Sequence, residues 1–217
     1  MRRRWRYLIG GVLAVVVVAA VVVTVGRSTP PADAARTPRL VVVGDSLSTG
    51  FGTSSDDAWP HLLAQRTRGR LDVVNASENG AGYLAGGDDN ATFGSNEVDA
   101  VTPDTQTVLF FGSDNDEGSQ ASDLTAAAVA ALHSAHATAP DARLIVVGPP
   151  AYTTPTPARL AVRDALKAAA SATNARFVDP LAEKWMNDQR FAGPDDEHPS
   201  VAGQQQLLKE MTRVLGI

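Results

Sequence analysis

Five short apolar runs, at residues 39 to 43, 71 to 75, 107 to 111, 143 to 147 and 176 to 178, constrain the fold of this chain more than any other feature. They are rich in Val, Ile, Leu and Phe and nearly continuous, as expected of strands covered on both faces rather than one. Between them lie helical patterns near 58 to 67, 119 to 138 and 157 to 173, and a last one near 200 to 215 offers Val201, Leu208, Met211 and Leu215 on one side. Strands alternating with helices read as an α/β fold with a parallel sheet. In such a sheet, ligands sit in the crevice beyond the carboxyl ends of the strands.

Three of the runs end in residues suited to chemistry at that edge. The first passes into Gly44-Asp45-Ser46-Leu47, which delivers a hydroxyl nucleophile to the strand end. Turns favour Gly, Asp and Ser for conformational reasons, so the tripeptide alone decides little. The second run is followed by Asn75-Ala76-Ser77-Glu78-Asn79-Gly80, in which the Gly80 N–H has no side chain to keep a reacting oxygen away. The third leads into Gly112-Ser113-Asp114-Asn115-Asp116, where Asn115 offers an amide donor. Donors of this kind form an oxyanion hole; as single residues, Gly80 also reads as a turn glycine and Asn115 as an Asx-turn former. Far along the chain, Asp195-Asp196-Glu197-His198-Pro199-Ser200 places an acid three residues before a histidine. A histidine that takes a serine proton needs its other ring nitrogen held by an acceptor, and Asp195 suits this better than Asp196 or Glu197. The competing view is a solvated acidic loop opening a helix.

Taken in order, these blocks resemble the SGNH hydrolase superfamily, the GDS(L) esterases and lipases, across residues 40 to 217. The resemblance implies a flavodoxin-like three-layer α/β/α sandwich of about five strands. It also implies a triad of Ser46, His198 and Asp195, with the oxyanion held by the N–H groups of Ser46 and Gly80 and by the Asn115 amide, and no cofactor. One departure stands out: the family's third block is Gly-x-Asn-Asp, whereas here Ser113 takes the glycine position and Gly112 lies one residue early, which leaves Asp114 as an alternative group at that place. A Gly-x-Ser-x-Gly elbow is absent, which argues against an α/β-hydrolase. Neither Gly-x-Gly-x-x-Gly nor Gly-Lys-Ser/Thr occurs in the Gly44 to Gly52 loop, so a nucleotide binder is disfavoured.

The amino terminus has a different character. Four arginines within Met1 to Arg6 precede an apolar stretch from Leu8 to Val25, so residues 1 to 26 read as a signal-anchor with the arginines cytoplasmic. A cleaved signal is the alternative, since Ala32-Asp33-Ala34 offers a small-x-small site. Residues 27 to 38, with Pro30, Pro31 and Pro38, read as an extended linker, leaving 39 to 217 as one domain. The expectation is a membrane-tethered or secreted extracytoplasmic enzyme.

From Arg39 onward 13 Lys or Arg stand against 23 Asp or Glu, so the domain is far more acidic than the net −5 of the whole chain. Nucleic acid is disfavoured as a partner on that ground, as are anionic surfaces unless a local basic patch intervenes. The absence of cysteine excludes thiol nucleophiles and thiolate metal sites. Asp88-Asp89-Asn90 lacks the ligand spacing of a calcium loop, and His133 with His136 lacks a third metal ligand. Two long polar loops, Tyr83 to Asn96 and Leu181 to Pro194, are expected at the rim of the site, where Tyr83, Phe93, Trp185 and Phe191 either meet substrate or anchor the loops.

These features predict an ester hydrolase working through an acyl-enzyme on Ser46, with small O-acyl groups on envelope carbohydrate as substrate. Lipid ester or thioester hydrolysis, acyl transfer, and a silent glycan-binding domain are the alternatives.

Overall fold

A computed structural model describes residues 36–88, 90–112 and 114–217. The segment read as anchor and most of the linker lie outside the described residues. Thr37–Ile217 forms one compact unit. No helix among the described residues is long and apolar enough to cross a membrane.

Five strands form the sheet: β1 (Arg39–Gly44), β2 (Asp72–Asn75), β3 (Thr105–Phe111), β4 (Arg143–Val147) and β5 (Arg176–Val178). All neighbours are parallel, in the order β2-β1-β3-β4-β5. This is the flavodoxin-like doubly wound order, whose switch point falls between β1 and β3. Ser46 follows the first of these strands and Asn115 the second, so both emerge at the place where the chain direction around the sheet reverses.

The helices are α1 (Ser46–Thr49), α2 (Trp59–Thr67), α3 (Ala121–Thr138), α4 (Pro157–Ala172) and α5 (Val201–Leu215). Strand side chains alternate between two cores, which explains why the runs look continuously apolar. Val41, Val43, Val108, Phe110 and Val146 pack with Leu124, Leu132 and Leu166 of α3 and α4. Leu40, Val42, Leu109, Phe111 and Val147 face the other way, against Leu63 of α2 and Leu207, Met211 and Val214 of α5. The result is a three-layer sandwich.

Element boundaries differ from the sequence reading by one or two residues, and some short elements went unread. Strand β3 starts at Thr105 rather than 107, because buried Thr105 and exposed Gln106 extend it with polar side chains that an apolar run does not show. The brief α1 and the short helical turns at Phe93–Glu97 and Val98–Ala100 span too few residues for a helical period to register.

Phe110 is fully buried at the centre of one core. Phe110→Ala should lower unfolding free energy by about 3 to 5 kcal/mol in urea denaturation; a loss below about 1 kcal/mol would contradict this packing.

Candidate active site

The nucleophile is set by the way β1 ends. Asp45 caps α1 with its carboxylate, accepting the Leu47 N–H at 2.9 Å, so the chain turns at once from strand to helix and Ser46 becomes the first helical residue. Ser46 itself is largely buried. The Ser46 Oγ lies 3.1 Å from His198 Nε2, and His198 Nδ1 lies 2.7 Å from Asp195 Oδ2. The three side chains thus form a continuous chain of contacts from hydroxyl to imidazole to carboxylate.

Asp195 does more than accept from the ring. Its Oδ1 receives the N–H groups of Glu197 (3.1 Å) and His198 (2.9 Å), so one carboxylate fixes both the backbone and the imidazole of the histidine. The His198 backbone N–H, then its ring, then the Glu197 N–H hold the Asp195 carboxyl down at about 2. It therefore stays ionised throughout the range in which a histidine works as base. Asp196 adopts a left-handed backbone (φ 60°) to close this turn and its carboxylate meets Gln189, while Glu197 lends the triad only its backbone.

The loop carrying His198 is pinned at both ends. Gly193 N–H donates to His198 O at 2.6 Å and Ser200 N–H to Phe191 O at 2.8 Å, across a bridge between Ala192 and Pro199. Ser200 caps α5, accepting the Gly203 N–H at 3.2 Å. A side chain at Gly203 would come within 2.2 Å of Phe191 O, so glycine is required where the helix passes this loop. Fully buried Gln204 then ties the loop to the nucleophile: it accepts from Trp59 N–H at 2.9 Å and donates to Leu47 O at 3.2 Å. Sequence reasoning missed Gln204, because a polar residue within an amphipathic helix gives no sign that it is the buried one.

Of the predicted oxyanion donors, Asn115 is tied to the Gly80 loop. Gly80 has a left-handed backbone (φ 73°), and the Asn115 amide donates to the carbonyl of the next residue, Ala81, at 2.8 Å. The Gly80 loop is joined to the nucleophile's helix where Thr49 Oγ1 donates to Asn79 Oδ1 at 2.6 Å, and where the Asn75 amide donates to Ser48 O at 2.9 Å. Asp116 organises the same loop: its buried carboxylate accepts the N–H groups of Tyr83, Leu84 and Ala85 at 2.8 to 3.0 Å. Asp114, the alternative group at the variant block, is instead bound by Arg159 at 2.7 Å, while Glu117 meets the same guanidinium at 2.6 Å. Arg159 also donates to Pro150 O at 3.0 Å, which locks the loops after β3 and β4 together.

The aromatics divide unevenly. Tyr83, Phe93 and Trp185 are buried in the two cores and anchor their loops, and Phe191 is only partly exposed. Phe51, which the sequence did not single out, is 48% exposed with its ring centroid 4.5 Å from that of His198. His133 and His136 are both exposed on α3. Among the described residues no three His, Asp or Glu side chains gather as a metal site would require.

A match to the GDSL-like Lipase/Acylhydrolase family spans residues 42–206. The chain belongs to this family. It is 36% identical over 190 residues to a GDSL lipase of Mycobacterium tuberculosis, covering 82% of this chain and 81% of the relative. Among solved structures it is similar to the psychrotrophic esterase EstA from a Pseudoalteromonas species, with TM-score 0.65, 19% identity and coverage of 82% and 96% of the two chains. It is also similar to a family two carbohydrate esterase from Clostridium thermocellum, with TM-score 0.64, 15% identity and coverage of 82% and 64%. These last two show the shared fold. The chain is a carboxylic ester hydrolase.

Two buried acids behind the nucleophile give this hydrolase a pH signature. Burial lifts the Glu97 carboxyl to about 9 although it accepts the Gly44 N–H at 2.9 Å, and burial likewise raises Asp45 well above the usual carboxylate range. Unfolded, Glu97 ionises near its ordinary 4.5; folded, it holds its proton to about 9. The unfolded chain binds fewer protons between these values, so this group's contribution to stability declines as pH rises through that window. Glu97→Gln should flatten the decline in Tm from about pH 5 to about pH 9; an unchanged slope would contradict the assignment. Gln204→Leu, which strands the Trp59 N–H and Leu47 carbonyl, should cost about 2 to 5 kcal/mol of stability for its two lost partners, read by urea denaturation.

Proposed function

We propose that this chain is an extracytoplasmic serine esterase that removes small O-acyl groups from envelope carbohydrate. The single observation that carries the serine mechanism is the unbroken contact chain Ser46 Oγ, His198, Asp195. His198 Nε2 takes the Ser46 proton as Oγ attacks the ester carbonyl, and Asp195 steadies the resulting imidazolium. The N–H groups of Ser46 and Gly80 and the Asn115 amide hold the oxyanion. Collapse of the tetrahedral intermediate expels the alcohol, which receives the proton from His198. Water, deprotonated by the same histidine, then releases the acid and restores Ser46. No cofactor enters the cycle.

The polar surroundings favour carbohydrate. A pocket of about 290 Å³ next to the acid loop is lined by Tyr152, Thr153, Thr154, Gln189 and Asp196, groups that match a hydroxyl-rich partner. Exposed Phe51 beside His198 offers an aromatic face to a sugar ring. Lipid ester hydrolysis is the second reading, favoured by the similarity to a lipase over most of both chains. The envelope location rests on the arginine-led apolar segment at the amino terminus.

Hydrolysis of p-nitrophenyl acetate, butyrate and palmitate separates these readings: the carbohydrate deacylase prefers acetyl steeply, and a preference for palmitate would favour the lipase. Acyl transfer to added sugar outcompeting water would instead mark a transferase. Ser46→Ala should lower turnover by roughly 10⁴ to 10⁶ and Asn115→Ala by on the order of 10² to 10³. Comparable turnover in all three proteins would overturn the mechanism.

A further inference from the structure

A cavity of about 600 Å³ opens at the amino ends of the strands, the opposite edge of the sheet from Ser46. Its apolar lining includes partly buried Leu71, Leu215 of α5 and exposed Ile217, backed by fully buried Leu40 of β1 and Leu63 of α2. Arg66, Arg70 and Arg143 also line it, and no acidic residue does. Arg70 donates to Thr67 O at 3.2 Å and Arg143 to Thr107 Oγ1 at 3.5 Å, but none of the three arginines pairs with a carboxylate among the described residues. Elsewhere, Arg39, Arg159, Arg163, Arg190 and Arg213 have acidic partners, whereas Arg68 and Arg176 also form no ion pair among the described residues.

In a domain with ten more acidic than basic residues from Arg39 onward, three arginines gathered around an apolar hollow with no acid among its lining form a local basic patch. Their positive charge suits an anionic group, and the leucines suit a hydrocarbon chain attached to it. Pro38 also lines the cavity, so the chain that precedes the domain joins it at this edge.

We propose that this basal cavity binds an anionic membrane phospholipid, taking part of an acyl chain among the leucines and the phosphate against Arg66, Arg70 and Arg143. Bound in this way, the domain stands with the carboxyl edge of its sheet, and hence Ser46, turned away from the bilayer toward the surrounding envelope. The inference does not depend on which ester Ser46 cleaves.

Thr37–Ile217 contains both cores and is suitable for the test free of the amino-terminal segment. It would be floated with vesicles of phosphatidylcholine, alone or mixed in equal parts with phosphatidylglycerol. Binding is expected only to the mixed vesicles, weakening as salt is raised. The exposed pair Arg66→Glu and Arg70→Glu should weaken that binding on the order of tenfold or more, with circular dichroism and hydrolysis of a soluble ester unchanged. Monomeric dihexanoyl-phosphatidylglycerol should bind the domain, and the chain-free headgroup glycerophosphoglycerol should not. Equal binding to both vesicle types, full binding by a folded charge-reversed variant, or headgroup binding as tight as that of the short-chain lipid would each overturn the proposal.

Discussion

The site depends on bringing His198 within hydrogen-bond reach of a serine 152 residues earlier in the chain. No local preference can do this; it requires α5 to pack against α2 and the start of α1 at a fixed height. The apolar side of α5 supplies the attraction, through Leu207, Met211 and Val214. The height is set by groups that accept few alternatives: the Gln204 amide on Leu47 O and Trp59 N, and the bare Gly203 surface against Phe191. A slide of the helix by one turn would strand both buried hydrogen bonds, so the same contacts that stabilise the fold also align the catalytic groups.

The electrostatic design around Ser46 has two sides. Toward solvent lies an ionised carboxylate, Asp195, saturated with N–H donors and ready to balance an imidazolium. Behind the nucleophile lie Asp45 and Glu97, buried carboxyls whose proton affinities burial raises while they cap and brace the β1 terminus. Carboxyl groups of one chemistry are thus pushed in opposite directions by burial and by the number of donors around them.

Much of this was legible in the sequence, for definable reasons. Strands buried on both faces must be apolar throughout, so all five appear as runs within two residues of their observed starts. The nucleophile and acid loops are also visible, because Gly-Asp-Ser at a strand end and Asp-x-x-His before a helix are local patterns that the fold then brings together. Contacts between distant segments were not visible. Gln204 and Asp116 look like surface polar residues until packing buries them, as does half-buried Arg159 until its partners are seen, and those partners lie in other loops. The rim aromatics show the same limit: Tyr83 and Trp185 face inward, and Phe51, in a glycine-flanked turn, is the ring left beside the histidine.

The central claim is that Ser46 is the residue acylated in the reaction. Exposure to a fluorophosphonate ester followed by intact-protein and peptide mass spectrometry tests it most directly. The account predicts one adduct per chain, mapped to the peptide containing Ser46, formed slowly when His198 is replaced by alanine and not at all in Ser46→Ala. An adduct on another residue, or unchanged labelling in the Ser46→Ala protein, would contradict it.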